Sequence, residues 1–378
     1  MIFVTRKILS YILGAIFFFL LVAANPWQRD NTRSNVSQEE QIEHGEGEET
    51  HGTEKFNPGE FIFDHIGDSY EWHILTYKNF HLSIPLPVIV YGKTKGLNIF
   101  LFSKFHHGHS EYKGFKYELT GENRGKVVEI LDDGSTILPA LDLSFSKNAL
   151  AILLSLILIL WVFLTAAKGY RERPDKAPTG VQNLVEPFIL FVRDEIAIPS
   201  IGPKKYEKFL PYLLTIFFFI WINNMMGLIP IFPGGANVTG NIAVTMILAL
   251  FTFTITSING NKNYWLHIIN PPGVPWWLKI PLPLIPIIEI VGMLIKPIVL
   301  MIRLFANITA GHIIALGFFS LIFIFGEMNV AIGYGVSPLT IAFTIFMTMI
   351  ELLVALIQAF VFTLLSSLYF SMATEEHH

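Results

Sequence analysis

Residues 297–311 read PIVLMIRLFANITAG, an apolar run with one charge, Arg303, near its centre. A guanidinium keeps its proton in a protein, and holding it at mid-bilayer depth costs between about 2.5 and 17 kcal/mol, depending on how far water and snorkelling relieve it. A charge retained at that cost marks an ion or substrate path. The flanking sequence places it in a membrane. The run lies within residues 282–325, and residues 328–374 form a second stretch of the same kind. As helices, such stretches would each reach roughly 65 Å, about twice the hydrocarbon thickness of a bilayer. They are expected to be steeply tilted, partly interfacial or broken, with Pro297 as a natural break.

Three shorter spans precede them, at residues 149–167, 209–232 and 241–258. Between the first two lies a basic segment with Lys168, Arg171, Arg173, Lys176, Arg193, Lys204, Lys205 and Lys208, and a partly amphipathic piece at 181–198 interrupted by Pro187. The turn at Pro233-Gly234-Gly235 carries no Lys or Arg, whereas the next connection has Lys262 and Lys279. Under the positive-inside rule this alternation puts the basic segment and the C-terminus in the cytoplasm and the region before residue 147 outside.

That exported region has three parts. Residues 1–25 follow signal-peptide grammar, with a retained N-terminal anchor as the alternative. Residues 26–55 are polar, rich in Glu and His, and read as a disordered linker. Residues 56–146 turn to β-branched and alternating runs, such as 81–91 and 97–102, broken by Gly92, Gly96 and Asp132-Asp133-Gly134, which predicts a small, mainly β domain. The expected fold is therefore an all-α polytopic membrane protein with about five membrane helices. Its last two are long, tilted and paired as a hairpin, and residues 147–378 form the membrane domain.

Composition narrows the chemistry. With 52% hydrophobic and 15% charged residues and 33 phenylalanines among 378, the chain lies outside the range of soluble domains. It has no cysteine, so disulfides, thiol nucleophiles and thiolate metal sites are excluded. No basic stripe interleaved with aromatics points to nucleic acid. His106-His107-Gly108-His109 lacks a carboxylate or cysteine at ligand spacing and reads as a solvated turn, as does His377-His378. No cofactor or metal is expected. Neither HExxH nor Gly-x-Ser-x-Gly occurs, which sets an intramembrane hydrolase aside.

The groups left to carry chemistry are few: Glu289, Lys296, Arg303 and His312 in the first long stretch, and Glu351 with Gln358 in the second. At 100° per residue, Glu289, Lys296 and Arg303 share a helix face within about 40°. Ala306, Ala310 and Gly317 lie on that face too and would let a partner helix approach closely. His312 falls about 180° around the helix from Arg303 and about 13 Å along it. Folding the stretches antiparallel about a turn at residues 326–335 brings His312 level with Glu351 and Arg303 level with Gln358. Thr344 and Thr348 extend the Glu351 face into a polar stripe. A carboxylate, an imidazole and hydroxyls in that arrangement suit a hydrated proton path. Other readings stand beside it: Glu289 or Lys296 snorkelling to headgroups, Asn307 joining helices, or His312 and Glu351 as a structural hydrogen bond. A secondary transporter or simple channel is the rival class. It would be expected to carry an internal repeat or its own carboxylate relay opposite the arginine, and neither is present.

Together, Arg303-Leu304-Phe305-Ala306-Asn307, Ala310-Gly311-His312, Gln358-Ala359-Phe360 and the ending at residues 371–376 resemble the subunit a family of rotary F-type ATP synthases. Asn224 before Leu228-Ile229-Pro230, Glu289 and Lys296-Pro297 fit the same pattern, over roughly residues 148–376. The resemblance implies a proton-translocating stator subunit, with no catalysis of its own, in a bacterial inner membrane. It would lie against a ring of c subunits, with the b subunits of the peripheral stalk and the rest of the complex as further partners. It also implies two offset half-channels. Glu351, His312 and Asn224 would line the outer one and Glu289 and Lys296 the inner one. Arg303 would stand between them, with Gln358 and Asn307 beside it. Many bacterial relatives carry a carboxylate where His312 stands and a histidine where Glu351 stands, so the pair is exchanged here. Some relatives have an acidic residue at the position of Gly227.

Overall fold

The computed structural model describes residues 56–77, 80–108, 110–119, 123–173, 176–229, 232–269 and 284–375. The expected leader, the linker, His109 and His377-His378 lie outside the described residues. What is described is mostly helical. Helix α1 (Pro58–Ile66) leads into eight short strands, followed by α2 (Lys147–Glu172), α3 (Val181–Phe191), a π-helical segment (Val192–Ala197), α4 (Ile198–Ile201), α5 (Tyr206–Leu228), α6 (Ile242–Ile258), α7 (Lys262–Ile269), α8 (Leu284–Met328) and α9 (Val330–Thr374).

The strands form three small antiparallel sheets. β1 (Glu71–Tyr77) pairs with β2 (Phe80–Pro85); β3 (Pro87–Gly92) lies between β4 (Gly96–Leu101) and β8 (Leu141–Asp142); β6 (Val127–Ile130) lies between β5 (Phe115–Tyr117) and β7 (Thr136–Ile137). Val88, Val90, Phe100, Phe105, Phe115 and Val127 close a core of their own. One buried carboxylate ties two sheets together. Glu129 on β6 accepts from the backbone N–H groups of Lys93, Thr94 and Lys95 in the β3–β4 turn, and from the Thr94 hydroxyl. Burial alone would raise its pKa, but these four hydrogen bonds outweigh that and hold it below the usual value of 4.5.

Among the described residues, four helices are long and apolar enough to cross a membrane, or five if α6 and α7, which meet at a 104° bend, count as one broken span. Three of these helices start at side-chain caps. Ser146 accepts from Ala149 N at the head of α2, Asn241 from Ala243 N at α6, and Asn329 from Ala331 N at α9. α5 ends at Leu228 because Ile229 precedes Pro230, which disfavours helical backbone.

Three expectations change. Pro297 does not break α8, a helix of 45 residues, because proline can be carried where neighbouring helices support the freed carbonyl. Pro187 likewise sits inside α3, and the irregularity comes later, as the π-helical segment. The turn expected over residues 326–335 contracts to Asn329 alone, with Gly333 and Gly335 inside α9. A Cβ on Gly333 would sit 2.7 Å from Gly326 Cα, so the hairpin tip is closed backbone against backbone.

α8 and α9 run antiparallel, and α9 also packs along α5. The apolar window of α5 is 72% buried and that of α8 only 11%; α5 is therefore the central post and α8 the outermost long helix. Lipid tails are as apolar as phenylalanine, so burying Phe217 and Phe218 on α5 gains packing contacts rather than desolvation. Hydroxyls add modest links: Tyr212 bonds Thr252 at 2.8 Å, and Thr252 meets Ser366 at 3.3 Å, each worth on average about 0.6 kcal/mol in a membrane.

Candidate functional site

Midway along the hairpin, His312 of α8 faces Glu351 of α9. Nδ1 lies 3.6 Å from Oε1, with both side chains largely covered. That separation is just beyond hydrogen-bond reach, and Glu351 Oε1 is buried with no hydrogen-bond partner. Gly311 makes the approach possible, since a Cβ there would stand 2.5 Å from Oε1 and 3.1 Å from Cγ of Glu351. The third wall is α5. A Cβ on Gly227 would lie 3.7 Å from His312 Nε2 and 3.2 Å from the Ala236 carbonyl. One imidazole nitrogen thus looks towards the acid and the other towards α5. A proton acceptor and an acid so placed can exchange a proton after a small rotation.

Asn224, one turn before Gly227, completes this wall. Its Nδ2 donates to the Ala355 carbonyl at 3.4 Å, one turn past Glu351, and its Oδ1 accepts from the Thr239 hydroxyl. Thr309 reaches the Gly240 carbonyl at 3.5 Å, so the connection from α5 to α6 is drawn against α8. The Thr344 and Thr348 hydroxyls donate to the Thr340 and Thr344 carbonyls at 2.9 Å, which occupies their protons and leaves their lone pairs as the polar feature they present.

Arg303 lies on the uncovered side of α8. Ile302, Arg303, Ala306, Asn307 and Ala310 are all exposed, while Leu300 and Leu304 are buried. Among the described residues Arg303 has no ion pair or hydrogen bond. It sits nine residues before His312, and Gln358 seven after Glu351, so the hairpin carries both to one depth within about a turn. They do not share a face. Gln358 is buried on the stripe of α9 that also contains Ala355, Ala359 and Phe362.

Towards the far ends of the hairpin, Lys296 is half-buried with Nζ 5.7 Å from the Tyr369 ring centre and 3.9 Å from Met372 Sδ. Thr252, Thr256, Tyr264, Lys296 and Tyr369 line a cavity there. Glu289 lies two turns before Lys296 on the same helix. The sequence reading passed over Tyr369 and Tyr264. Tyr369 had a signal, because eighteen residues is five helical turns and puts it on the face of Glu351. Thr239 and Lys147 were missed as well. No periodicity marks either, since Thr239 lies in a connection and Lys147 is the first residue of its helix.

Comparison with known proteins bears on this arrangement. The family described as ATP synthase A chain matches residues 149–371, and a domain of unknown function matches residues 61–147. ATP synthase subunit a 2 of Chlorobaculum tepidum is 40% identical over 288 residues, 71% of this chain and 78% of its own length. ATP synthase subunit a of Chlorobium phaeobacteroides is 38% identical over 283 residues, covering 71% and 79%. That of Myxococcus xanthus is 40% identical over 265 residues, covering 67% and 79%. With more than half its length matched and several long apolar helices, this multi-pass membrane protein belongs to the ATP synthase A chain family, subunit a of the F-type ATP synthase complex.

Proposed function

We propose that this chain supplies the stator side of a proton path completed by a ring of c subunits, coupling proton flow to ATP synthesis. The observation that carries the reading is Arg303, a permanent cation on an uncovered apolar helix face, with no anionic partner among the described residues. Its counter-charge comes from a ring carboxylate brought past it. Protons from outside reach the ring through Asn224, His312 and Glu351. A protonated ring site then travels through lipid as a neutral group, which a charged one could do only at several kcal/mol or more. After most of a turn the proton leaves towards the cytoplasm past Glu289 and Lys296. Arg303 stabilises the ionised ring carboxylate in transit and repels protons that would cross directly. Asn307 faces the ring beside it, and Gln358 sets its position from behind.

In this reading the β unit is extracytoplasmic, the C-terminus lies in the cytoplasm of a bacterial cell, and the b subunits of the peripheral stalk hold the chain still against rotation. The test is ATP-driven proton pumping in inverted vesicles containing the assembled complex with Arg303→Ala. Loss of pumping with assembly intact supports the reading, and pumping at the parent rate refutes it.

A further inference from the structure

The unit formed by residues 56–146 is bound to the membrane helices by specific contacts. Phe56 N donates to Glu327 Oε1 at 2.7 Å, in the last turn of α8, and the Phe56 and Phe61 rings lie 5.1 and 6.0 Å from that of Phe323. Trp72 is buried, its ring 5.2 Å from that of Phe232 in the connection after α5. Between these grips lies a polar seam at the head of α2. Lys147 N donates to the Ser69 carbonyl at 2.8 Å, Asn148 N to Asp68 Oδ1 at 3.0 Å, and Lys147 Nζ to the His65 carbonyl at 3.3 Å.

Lys147 and Asn148 are only 9% and 5% exposed, although each carries a strongly polar side chain. A buried lysine at a helix start, where the macrodipole is also positive, is unfavourable twice over. The Trp72 grip sets the unit on the connection after α5, and Ala236 and Thr239 of that connection lie against the wall formed by Gly227, His312 and Asn224. Among the buried polar atoms without a protein partner are Asn148 Oδ1 at the seam, Asn237 Nδ2 in the connection after α5 and Glu351 Oε1 at the pair. Asn237 adjoins Ala236, whose carbonyl flanks Gly227 opposite His312. Orphaned polar atoms inside a protein are the places where water is held, and such atoms at the seam, in the connection after α5 and at the buried acid are the lining that a water file needs.

We propose that the seam between the extracytoplasmic unit and the head of α2 is the mouth of the outer proton path, with Asp68 at its rim and Lys147 and Asn148 lining its throat. The β unit is then a vestibule through which protons reach His312 and Glu351, and its aromatic grips keep the seam in register with the hairpin. This rests on the two-half-channel reading above.

The chain contains no cysteine, so single thiols report cleanly. In the assembled complex, Asn148→Cys is treated with silver ion from the extracytoplasmic side and ATP-driven pumping is compared with and without silver in the same preparation. Leu158→Cys, exposed further along α2, is the reference. The proposal expects most of the pumping to be lost in Asn148→Cys and little in Leu158→Cys. Should Asn148→Cys fail to assemble, Asp68→Cys with a bulky, impermeant maleimide serves in its place, and the same loss is expected. Undiminished pumping in the treated variant, in complexes where Arg303→Ala is inactive, overturns the seam and leaves the half-channels standing. Pumping by Arg303→Ala overturns both.

Discussion

Gly311→Ala is the most economical way to disturb the acid–imidazole pair, because it adds one methyl group and no charge. The new Cβ would stand 2.5 Å from Glu351 Oε1, 3.1 Å from Cγ and 3.2 Å from Cδ. Ordinary contact begins near 3.4 Å, so the carboxylate has to retreat by about 1 Å. It starts 3.6 Å from His312 Nδ1, close enough for a small rotation to bring the two into hydrogen-bond contact, and a displacement of that size changes the geometry from which the rotation starts. Overpacking in a well-filled interior costs roughly 1–3 kcal/mol. If that cost falls on the paired geometry, its population drops by about five- to more than a hundredfold, at tenfold per 1.4 kcal/mol. Proton pumping in vesicles should fall by a comparable factor while the complex still assembles. Glu351→Asp withdraws the carboxylate by one carbon, so the double variant Gly311→Ala/Glu351→Asp should pump faster than Gly311→Ala alone, with a coupling free energy measurable in a double-mutant cycle. Parent-like pumping by Gly311→Ala, or strictly additive effects in the cycle, would refute the argument that this contact sets the path.

Arg303→Lys should assemble yet lose proton-driven ATP synthesis nearly as fully as Arg303→Ala, because an ammonium can give up its proton and lacks the planar fork; synthesis within about tenfold of the parent contradicts this. Thr239→Val removes the hydroxyl that donates to buried Asn224 Oδ1 and should cost about 1–3 kcal/mol, seen as a lower thermal midpoint of the purified complex, with an unchanged midpoint as the contrary result. Glu129 titrates below its usual 4.5 in the folded unit. Its stabilising contribution is therefore complete above that pH and is lost as pH falls through the lowered value. Hydrogen exchange at the Lys93, Thr94 and Lys95 amides should quicken on acidification in the parent. In Glu129→Gln it should already be fast and should vary less with pH, whereas equal acid sensitivity in both would count against the role.

Some of this was legible from residue order alone. The uncharged run at residues 149–167 required a spanning helix, and α2 extends it by a few residues at each end because Ser146 supplies the cap and Lys168 and Arg171 tolerate the exit. The seven-residue spacing of Glu351 and Gln358 put them on one face of one helix whatever the neighbours did. The near symmetry of His312 and Glu351 about a turn put them at one depth, although the turn is tighter than its glycines suggested. Less was legible where backbone approach mattered. Gly311 was legible only as part of the string Ala310-Gly311-His312, and Gly227 only as a position where some relatives carry an acid; residue order does not show what a methyl group at either would strike.

The sequence by itself determined that the chain spans a membrane, which stretches cross it, where the polar groups fall along each helix, and that the string around Arg303 matches its family. Those properties are local, set by hydropathy, helical periodicity and charge. Only the tertiary structure decided which face of α8 is covered, that His312 turns inward to Glu351 and α5 while Arg303 stays uncovered, and that the head of α2 packs against residues 65–69 of the preceding unit. In a soluble helix the apolar stripe announces the buried side. Here lipid and protein interior are equally apolar, so the pattern along α8 is almost the same all round, and the direction each side chain faces depends on the helices packed against it.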